Sequence, residues 1–236
     1  MTKLNQLDAV LFDLDGTLID TASDFIRVIK LMCDKYGHLV PSDTAIREQV
    51  SAGSRAMVRL VLGDVLVDSL GDEKLLAYRQ EFLDLYEQNI CVDSRLFDDL
   101  DELLRTLEHH GIAWGIVTNK PKYLAENLLD KLNLAERCAV LVCPDDVRNT
   151  KPDPEPMFLA VKRLNEKLSK ATQPNNCIYV GDHIRDIQAG NAAGMMTVIA
   201  GFGYLSADDK EKLATWQADK VMATPYDLVQ FIKGLL

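Results

Sequence analysis

Two aspartates, one residue apart, follow the first apolar stretch of the chain. The segment AVLFDLDGTLIDT places Asp13 and Asp15 directly behind four apolar residues. A run of this kind predicts a buried strand, and burying carboxylates costs free energy unless a cation or hydrogen-bond donors meet them. The pair therefore predicts a site at which a positive group or a metal ion is bound.

Three later segments carry polar side chains in a comparable position. Thr118 and Asn119 lie in AWGIVTNKP, Lys151 lies in NTKPDPEP, and Asp182 and Asp186 lie in GDHIRD. Each segment comes at the end of, or just after, a short apolar run that predicts a strand. The carboxyl ends of parallel strands share one edge of a sheet, and ligands bind at that edge. We therefore expect these side chains to meet the first two aspartates.

The chemistry of this set points to a metal ion and a phosphoryl group. One lysine cannot balance three or four carboxylates, whereas a divalent cation that prefers oxygen ligands can, and Mg²⁺ is the expected ion. A lysine, a hydroxyl and an amide beside that ion suit phosphoryl oxygens. In such a site one aspartate attacks phosphorus to form an aspartyl-phosphate, and a second carboxyl group transfers protons to the leaving oxygen and from water.

The elements that position these residues alternate between strands and helices. The predicted strands share short length and many β-branched residues, and they span 9–13, 113–119, 139–144, 177–182 and 197–202, with an edge strand at 219–222. Helical patterns separate them from about residue 97 onward. This alternation predicts a doubly wound α/β fold, with a parallel sheet covered by helices on both faces.

The alternation stops between residues 20 and 92. In this interval apolar residues recur at spacings of three and four, with no strand-like run, which predicts four helices. We interpret 20–92 as a helical cap domain inserted into a core formed by 1–19 and 93–236. The hinges are expected near Asp20 and Val92.

Composition restricts the partners. The 236 residues carry a net charge of -10, which disfavours nucleic acids and anionic membranes because both attract basic surfaces. A small anionic substrate remains compatible, because local cations can reverse the field inside a pocket. The five cysteines are scattered, no apolar segment approaches the length of a membrane span, and no signal-like stretch follows Met1. These features predict a cytoplasmic protein with reduced thiols. They leave open whether the protein is a monomer or a homodimer.

The four segments together resemble the four motifs of the haloacid dehalogenase superfamily. DLDGT at 13–17 resembles the first motif, Thr118 in VTNKP the second, Lys151 in TKPDPEP the third, and GDHIRD at 181–186 the fourth. The resemblance implies a catalytic core with a helical lid that selects the substrate. An acid at position 15 is absent from the dehalogenases and phosphonatases of the superfamily, so the resemblance favours a phosphatase or a phosphomutase.

The resemblance also implies roles around the metal ion. Asp13 would be the nucleophile and a metal ligand, and Asp15 the general acid and base with its backbone carbonyl on the metal. Asp182 would be a metal ligand, and Asp186 would act on the metal directly or through water. For His183 we favour a loop role, because magnesium prefers oxygen ligands.

The remaining roles concern the substrate. By resemblance, Thr118, Asn119 and Lys151 would hold the phosphoryl group. Arg55, in AGSRAM, either anchors an anionic substrate under the lid or is an exposed arginine at a helix start. Phosphohexose mutases of the superfamily carry a Gly-x-Ser-Arg in the cap, which Gly53–Arg55 matches only in part.

The likeness also suggests a substrate. Nearly the whole chain is similar to the phosphoglycolate phosphatase branch, and SAGSRAM, WGIVTNKP, LVCPDDVRNTKPDPEP and GDHIRDIQAGNAAGM are most similar to the N-acetylmuramic acid 6-phosphate phosphatases of cell-wall recycling. We expect a Mg²⁺-dependent phosphomonoesterase for that sugar phosphate, or alternatively for 2-phosphoglycolate. The first choice predicts a roomy cap pocket and the second a small one. A sugar phosphomutase and a non-catalytic binding protein on the same scaffold remain alternatives.

Overall fold

The structure is a computed structural model that describes residues 6–169 and 171–236. The first five residues of the predicted core segment 1–19, and residue 170 of the segment 93–236, lie outside the described residues. The strands are β1 (Ala9–Phe12), β2 (Ile19–Asp20), β3 (Arg95–Leu96), β4 (Ala113–Val117), β5 (Val140–Val142), β6 (Cys177–Gly181), β7 (Met196–Ala200) and β8 (Lys220–Met222). The α-helices are α1 (Ala22–Tyr36), α2 (Asp43–Arg47), α3 (Ser54–Leu62), α4 (Asp64–Ser69), α5 (Asp72–Gln88), α6 (Leu100–His109), α7 (Lys122–Lys131), α8 (Glu155–Leu168), α9 (Ile184–Ala193), α10 (Ala207–Lys212) and α11 (Pro225–Lys233).

Six strands form a parallel sheet, which confirms the predicted fold class. Their order is β5-β4-β1-β6-β7-β8, so β1 is central and chain order reverses on either side of it. In the register of the sheet, Leu11 lies between Gly115 of β4 and Tyr179 of β6. The strand that carries the first aspartates is thus buried between two partners, at the switch point where α/β sheets bind ligands.

Both faces of the sheet are covered by helices. Along β1, Val10 and Phe12 belong to one apolar cluster, which includes leucines of α6 and α7 and the buried face of α11. Leu11 belongs to a second cluster with α8 and α9 on the opposite face. Because successive side chains of a strand point to opposite faces, a fully apolar strand is what a sheet covered on both sides requires.

The helical interval begins and ends beside a small second sheet, which the sequence did not predict. The two-residue strands β2 and β3 pair antiparallel, with Asp20 opposite Arg95. Helices α1 to α5 lie between these strands, so the described interval holds five helices rather than the four predicted. The additional helix α4 starts directly after Gly63, which ends α3 with φ of 77°. The boundaries of the cap at 20 and 92 stay a prediction.

Aromatic rings join the first and last helices of this interval. Phe25 of α1 packs against Tyr86 and Phe82 of α5, with ring centroids 4.4 and 5.8 Å apart. Next to Phe25, the buried carboxylate of Asp24 accepts hydrogen bonds from the backbone N–H of Asp93 and from Ser94. The start of α1 is therefore tied to the chain segment that returns to the large sheet.

Two further observations concern membrane-spanning helices and the cysteines. Among the described residues, no helix has the length and apolar character needed to cross a membrane. All five cysteines are free thiols, and four of them are buried.

Candidate active site

Three strand ends bring the first polar residues together. Asp13 follows β1, Thr118 follows β4 and Asp182 follows β6, as the sequence predicts. The N–H of Asp13 donates to the carbonyl of Val180 at 2.8 Å, which fixes the start of the loop against β6. The sheet edge thus presents the three side chains from adjacent strands.

Glycines allow two loops to approach these aspartates closely. Gly16 has φ of 81°, and a Cβ at this position would overlap the carboxylate of Asp182. A Cβ on Gly203 would overlap both Asp182 and the carbonyl of Gly16. The turn after Asp13 therefore requires glycine for its conformation and for the space it leaves.

Lys151 lies at the centre of the buried charges. Its Nζ is 2.9 Å from Oδ1 of Asp13 and 2.7 Å from Oδ1 of Asp186, and it also donates to the carbonyl of Val117 and to the hydroxyl of Tyr179. The lysine side chain is fully buried. It therefore bridges two carboxylates, and its predicted contact with a phosphoryl group stays a prediction. The contact of Lys151 with Tyr179 was not predicted, because the periodicity of a strand does not show which residues its side chains contact.

Asp13 keeps one carboxylate oxygen available. Its Oδ1 accepts a hydrogen bond from the N–H of Leu14 at 2.8 Å, whereas Oδ2 accepts none from the residues that the structure describes. Burial opposes ionisation, but attraction to Lys151 and Arg185 and the hydrogen bonds to Oδ1 outweigh it, so the pKa of Asp13 is lowered. Asp13 is therefore an anion at neutral pH, as a nucleophile must be.

Asp13, Asp182 and Asp186 form a buried cluster of acids. One carboxylate oxygen from each lies within 4.8 Å of the others. Burial, reinforced by repulsion from Asp13 and Asp186, raises the pKa of Asp182 to about 8. Burial also raises the pKa of Asp186. Three carboxylates this close cannot all ionise without more positive charge than Lys151 supplies.

The hydrogen bonds of Asp182 indicate where that charge is needed. Oδ2 accepts from the hydroxyl of Ser51 at 2.7 Å and from the N–H of Tyr204 at 2.9 Å. Oδ1 is buried and has no hydrogen-bond partner among the described residues. A buried carboxylate oxygen without a partner, inside a cluster in which the three carboxylates outnumber the nearby cations, is the arrangement that a hard divalent cation satisfies. The residues present therefore fit such an ion.

Asp15 is held by residues that the sequence analysis did not single out. Its carboxylate accepts from the Thr21 hydroxyl at 2.7 Å and from Nζ of Lys120 at 3.0 and 3.2 Å. The ammonium group of Lys120 lies 4.2 Å from the ring centroid of Tyr86 and 4.9 Å from that of Phe25. Lys120 is thus a buried lysine of the core that contacts two aromatic rings of the helical interval. A signal was present, because Lys120 directly follows the predicted phosphate-binding pair in VTNKP.

Thr118 and Asn119 occupy the loop beside this lysine. The Thr118 hydroxyl accepts from the N–H of Lys120 at 3.1 Å, and the Asn119 amide donates to the carbonyl of Lys151 at 3.1 Å. The loops after β4 and β5 are therefore joined by a hydrogen bond. Thr118 and Asn119 also line a cavity between the strand ends and the helical interval.

A cavity of about 410 Å³ lies between the strand ends and helices α1, α3 and α5. Asp13 and Asp15 line its core side, and Arg55, Arg79 and Arg185 are among the other lining residues. Arg55 lies in the first turn of α3, is exposed to solvent and contributes to the lining of the cavity. Arg79 and Arg185 were not predicted. Arg185 lies inside the GDHIRD motif. Arg79 lies in α5, and the sequence did not show which face of this helix points towards a cavity.

His183 has a structural position at the start of α9. Its Nδ1 accepts a hydrogen bond from the N–H of Arg185 at 3.2 Å, and its own N–H donates to Asp186. Burial, reinforced by the charge of Arg185, lowers the pKa of His183 to about 4, so the ring is neutral at pH 7. These contacts support the interpretation of His183 as a loop residue.

Comparison with known proteins agrees with this geometry. The family model described as haloacid dehalogenase-like hydrolase matches residues 10–200. The chain is 42% identical over 234 residues to an N-acetylmuramic acid 6-phosphate phosphatase of Pseudomonas aeruginosa, which covers 99% of this chain and 98% of that protein. It is 41% identical over 220 residues to a phosphoglycolate phosphatase of Xanthomonas campestris, covering 93% and 94% of the two chains.

A solved structure shares the fold at lower sequence identity. A β-phosphoglucomutase of Clostridium difficile superposes with a TM-score of 0.71 at 21% identity, covering 98% of this chain and 97% of that one. At this identity the similarity shows the architecture alone. The family model matches most of the chain. The alignments with the two phosphatases cover nearly the full length of this chain and of each relative. The chain therefore belongs to the haloacid dehalogenase-like hydrolases.

Proposed function

We propose that the protein is a Mg²⁺-dependent phosphomonoesterase that works through an aspartyl-phosphate on Asp13. One observation carries the proposal. Asp13 is an ionised carboxylate that lines a substrate-sized cavity, beside a buried lysine and two further acids, one of which has a buried oxygen without a partner. This arrangement suits the attack of a carboxylate on a phosphoryl group whose oxygens need positive charge.

In the first half-reaction, Asp13 attacks phosphorus. A bond forms between a carboxylate oxygen of Asp13 and phosphorus while the bond from phosphorus to the ester oxygen breaks. Lys151 and the N–H of Leu14 hold Oδ1 of Asp13 in place, so the carboxylate is oriented before the substrate binds. Thr118 and Asn119, which line the same cavity, are positioned to donate to the phosphoryl oxygens.

Asp15 transfers one proton in each half-reaction, as an acid in the first and as a base in the second. Its carboxyl group protonates the leaving oxygen, then takes a proton from the water that attacks the aspartyl-phosphate, which releases inorganic phosphate and regenerates Asp13. Thr21 and Lys120 fix its orientation through hydrogen bonds of 2.7 to 3.2 Å. Asp15 is therefore held by a different lysine from Asp13 and Asp186, which both contact Lys151.

Asp13, Asp182 and the backbone carbonyl of Asp15 would hold the magnesium ion, with Asp186 acting directly or through water. When bound, the ion would offset the negative charge of the phosphoryl oxygens. The hydroxyl of Ser51 approaches both Asp182 and the carbonyl of Asp15, at 2.7 and 3.5 Å. Through Ser51, the helical interval would therefore contact two of the proposed magnesium ligands.

The favoured substrate is N-acetylmuramic acid 6-phosphate. Two observations support it: the 42% identity to a phosphatase named for this compound, and a cavity of about 410 Å³, which suits a substituted sugar better than a two-carbon acid. 2-Phosphoglycolate is the second candidate, because a relative named for it is 41% identical. A place in cell-wall recycling follows from the first substrate.

Phosphate release from a substrate panel tests this proposal. The panel contains N-acetylmuramic acid 6-phosphate, glucosamine 6-phosphate, 2-phosphoglycolate and β-glucose 1-phosphate, with magnesium present and Asp13→Asn as the blank. We expect kcat/KM to favour the muramyl sugar by about a hundredfold or more, equal to about 2.7 kcal/mol of transition-state discrimination. A flat profile would contradict the substrate, and a bisphosphate requirement with little free phosphate would indicate a phosphomutase.

We propose a cytoplasmic location for the protein. The free state of all five cysteines agrees with a cytoplasmic enzyme acting on a small phosphate ester. We propose a monomer or homodimer, which light scattering of the purified protein distinguishes.

A further inference from the structure

The arginines of the helical interval fall into two groups. Three of the five form ion pairs with carboxylates: Arg27 with Asp93, Arg47 with Asp20, and Arg59 with both Asp64 and Asp68. The other two, Arg55 and Arg79, have no carboxylate within ion-pair distance among the described residues. These two are also the arginines of the interval that line the cavity.

This division is notable in a protein rich in acids. The chain has 36 acidic and 26 basic residues, so carboxylate partners are plentiful. On the core side of the cavity the lysines are already balanced, because Lys151 pairs with Asp13 and Asp186, and Lys120 pairs with Asp15. Among the arginines and lysines that line the cavity, those without an ion pair to a described carboxylate are therefore Arg55 and Arg79 on the helical side and Arg185 on the core side. Arginines in this state at a concave surface are receptors for anionic oxygens.

The side chain of Arg79 is oriented for such a role. Its Nε donates a hydrogen bond to the hydroxyl of Ser54 at 2.8 Å. Within the described residues, the guanidinium group makes no other hydrogen bond. The two terminal nitrogens are thus left for a ligand, and they form the fork that matches a carboxylate. Ser54 begins α3 and directly precedes Arg55, so Arg79 of α5 is bonded to the turn that carries Arg55.

We propose that Arg79, positioned by Ser54, and Arg55 bind a second anionic group of the substrate, a carboxylate, while the phosphoryl group lies at Asp13. The inference rests on the proposed function and assigns the residues that distinguish its substrates. Both candidate substrates contain a carboxylate in addition to the phosphate. Arg185 belongs to the phosphoryl side, because its charge acts on Asp13 and its guanidinium contacts the carbonyl of Ser51.

Two matched pairs of substrates test the assignment. N-Acetylmuramic acid 6-phosphate is compared with N-acetylglucosamine 6-phosphate, which lacks the lactyl carboxylate, and 2-phosphoglycolate is compared with ethyl phosphate. We expect the unsubstituted enzyme to prefer the acid in at least one pair, and that pair identifies the source of the carboxylate. In Arg79→Met the ratio of kcat/KM between acid and non-acid should fall by at least about tenfold, the size expected for losing a charge-assisted bidentate contact.

Controls separate this effect from general damage. Arg59→Met, which removes an ion-paired arginine of α3 outside the cavity, should leave the ratio unchanged. Arg79→Lys keeps the charge without the fork and should retain part of the preference. If the unsubstituted enzyme shows no preference for the acid in either pair, or if Arg79→Met lowers both members equally, the carboxylate site is wrong.

A binding experiment keeps the inference separate from the catalytic proposal. Asp13→Asn protein is titrated with both members of each pair by calorimetry, with and without Arg79→Met. Tighter binding of the acid that depends on Arg79 supports the carboxylate site even if no ester is hydrolysed, in which case the phosphatase proposal alone fails. Equal affinities for acid and non-acid overturn the carboxylate site whatever the turnover.

Discussion

The two sides of the cavity differ in how their charges are satisfied. On the strand-end side, Lys151 and Lys120 are buried, and each is fixed by carboxylates of the chain. On the helical side, Arg55 and Arg79 have no carboxylate partner within the described ranges. The first side is organised before any ligand arrives, which favours one fixed chemistry, whereas the second keeps donors free for whatever the substrate presents.

This difference in charge pairing goes together with a difference in what holds the residues of each side in place. Residues at strand ends are held by the register of a sheet buried on both faces, so their positions depend little on surface side chains. Residues on α3 and α5 depend on how a few helices pack. Substitutions on the two sides should therefore fail in different ways, and the following predictions run from the largest expected effect to the smallest.

Asp13→Asn should cause the largest loss. The amide keeps the size of the side chain but removes the attacking oxygen, so turnover should fall by about 10⁴-fold or more, the scale seen when a nucleophile is removed. Phosphate release measures it, and thermal unfolding should show a folded protein. Asp84→Asn, on the outer face of α5, serves as the control. Activity that persists in Asp13→Asn would remove this residue as nucleophile.

Lys120→Met should cause a smaller, leaving-group-dependent loss. Methionine keeps contact with the rings of Tyr86 and Phe25 but no longer orients Asp15, so proton transfer should weaken, and kcat for an alkyl phosphate should fall by about 10²-fold. p-Nitrophenyl phosphate has a leaving group that needs little protonation, and its kcat should fall much less. Equal losses for the two substrates would mean that Lys120 acts on something other than Asp15.

Binding of magnesium should depend on pH through Asp182. In the metal-free protein its pKa of about 8 keeps it protonated at pH 7, and a cation must displace that proton. Affinity should therefore rise by up to about tenfold per pH unit from pH 6 towards 8 and then level off. Calorimetry in buffers of different ionisation enthalpy measures the released protons. Release should disappear or shrink in Asp182→Asn, and unchanged release would contradict the assignment.

The same carboxyl group makes a prediction about stability. A raised folded-state pKa stabilises the protein below the ordinary pKa of an aspartate, and the contribution is lost as the pH rises through about 8. Metal-free protein should therefore unfold at lower denaturant concentration at pH 9 than at pH 6, and magnesium should reduce the difference. A difference that magnesium leaves unchanged would assign the pH dependence to another group.

Ser51→Ala should have the smallest effect. It removes one of two hydrogen bonds to Oδ2 of Asp182 and leaves the core side otherwise intact. We expect a loss of about 1 kcal/mol in the free energy of unfolding, measured by chemical denaturation. Ser69→Ala, on an exposed part of α4, provides the comparison, and an equal loss there would show that the bond of Ser51 to Asp182 carries no special weight.

The sequence predicted the strand-end side well, because its signals are local. Apolar runs that end in Asp13, Thr118 and Asp182 identify strands, and parallel strands place their carboxyl ends at one edge. The predicted strands agree with the observed ones to within two residues at each end. The predicted roles of these residues stay predictions that the experiments above test.

The helical side could not be predicted to the same depth. The periodicity of α5 identifies a helix, but it does not tell whether Arg79 faces a cavity or solvent, because that depends on how α5 packs against α1 and α3. The pairing of Asp15 with Lys120, and the approach of Ser51 to Asp182, join residues 105 and 131 positions apart. Such contacts arise from tertiary packing and leave no local pattern.

The pairing of β2 with β3 has a consequence for the evolution and engineering of this enzyme. Because Asp20 lies opposite Arg95, the helical interval begins and ends at neighbouring points, about 5 Å apart as in any strand pair. A helical segment of different length or sequence can therefore replace the present one, provided that its own two ends lie equally close. Under the proposed function, the strand-end site would be kept, and the replaced segment would give the same chemistry a new choice of substrate.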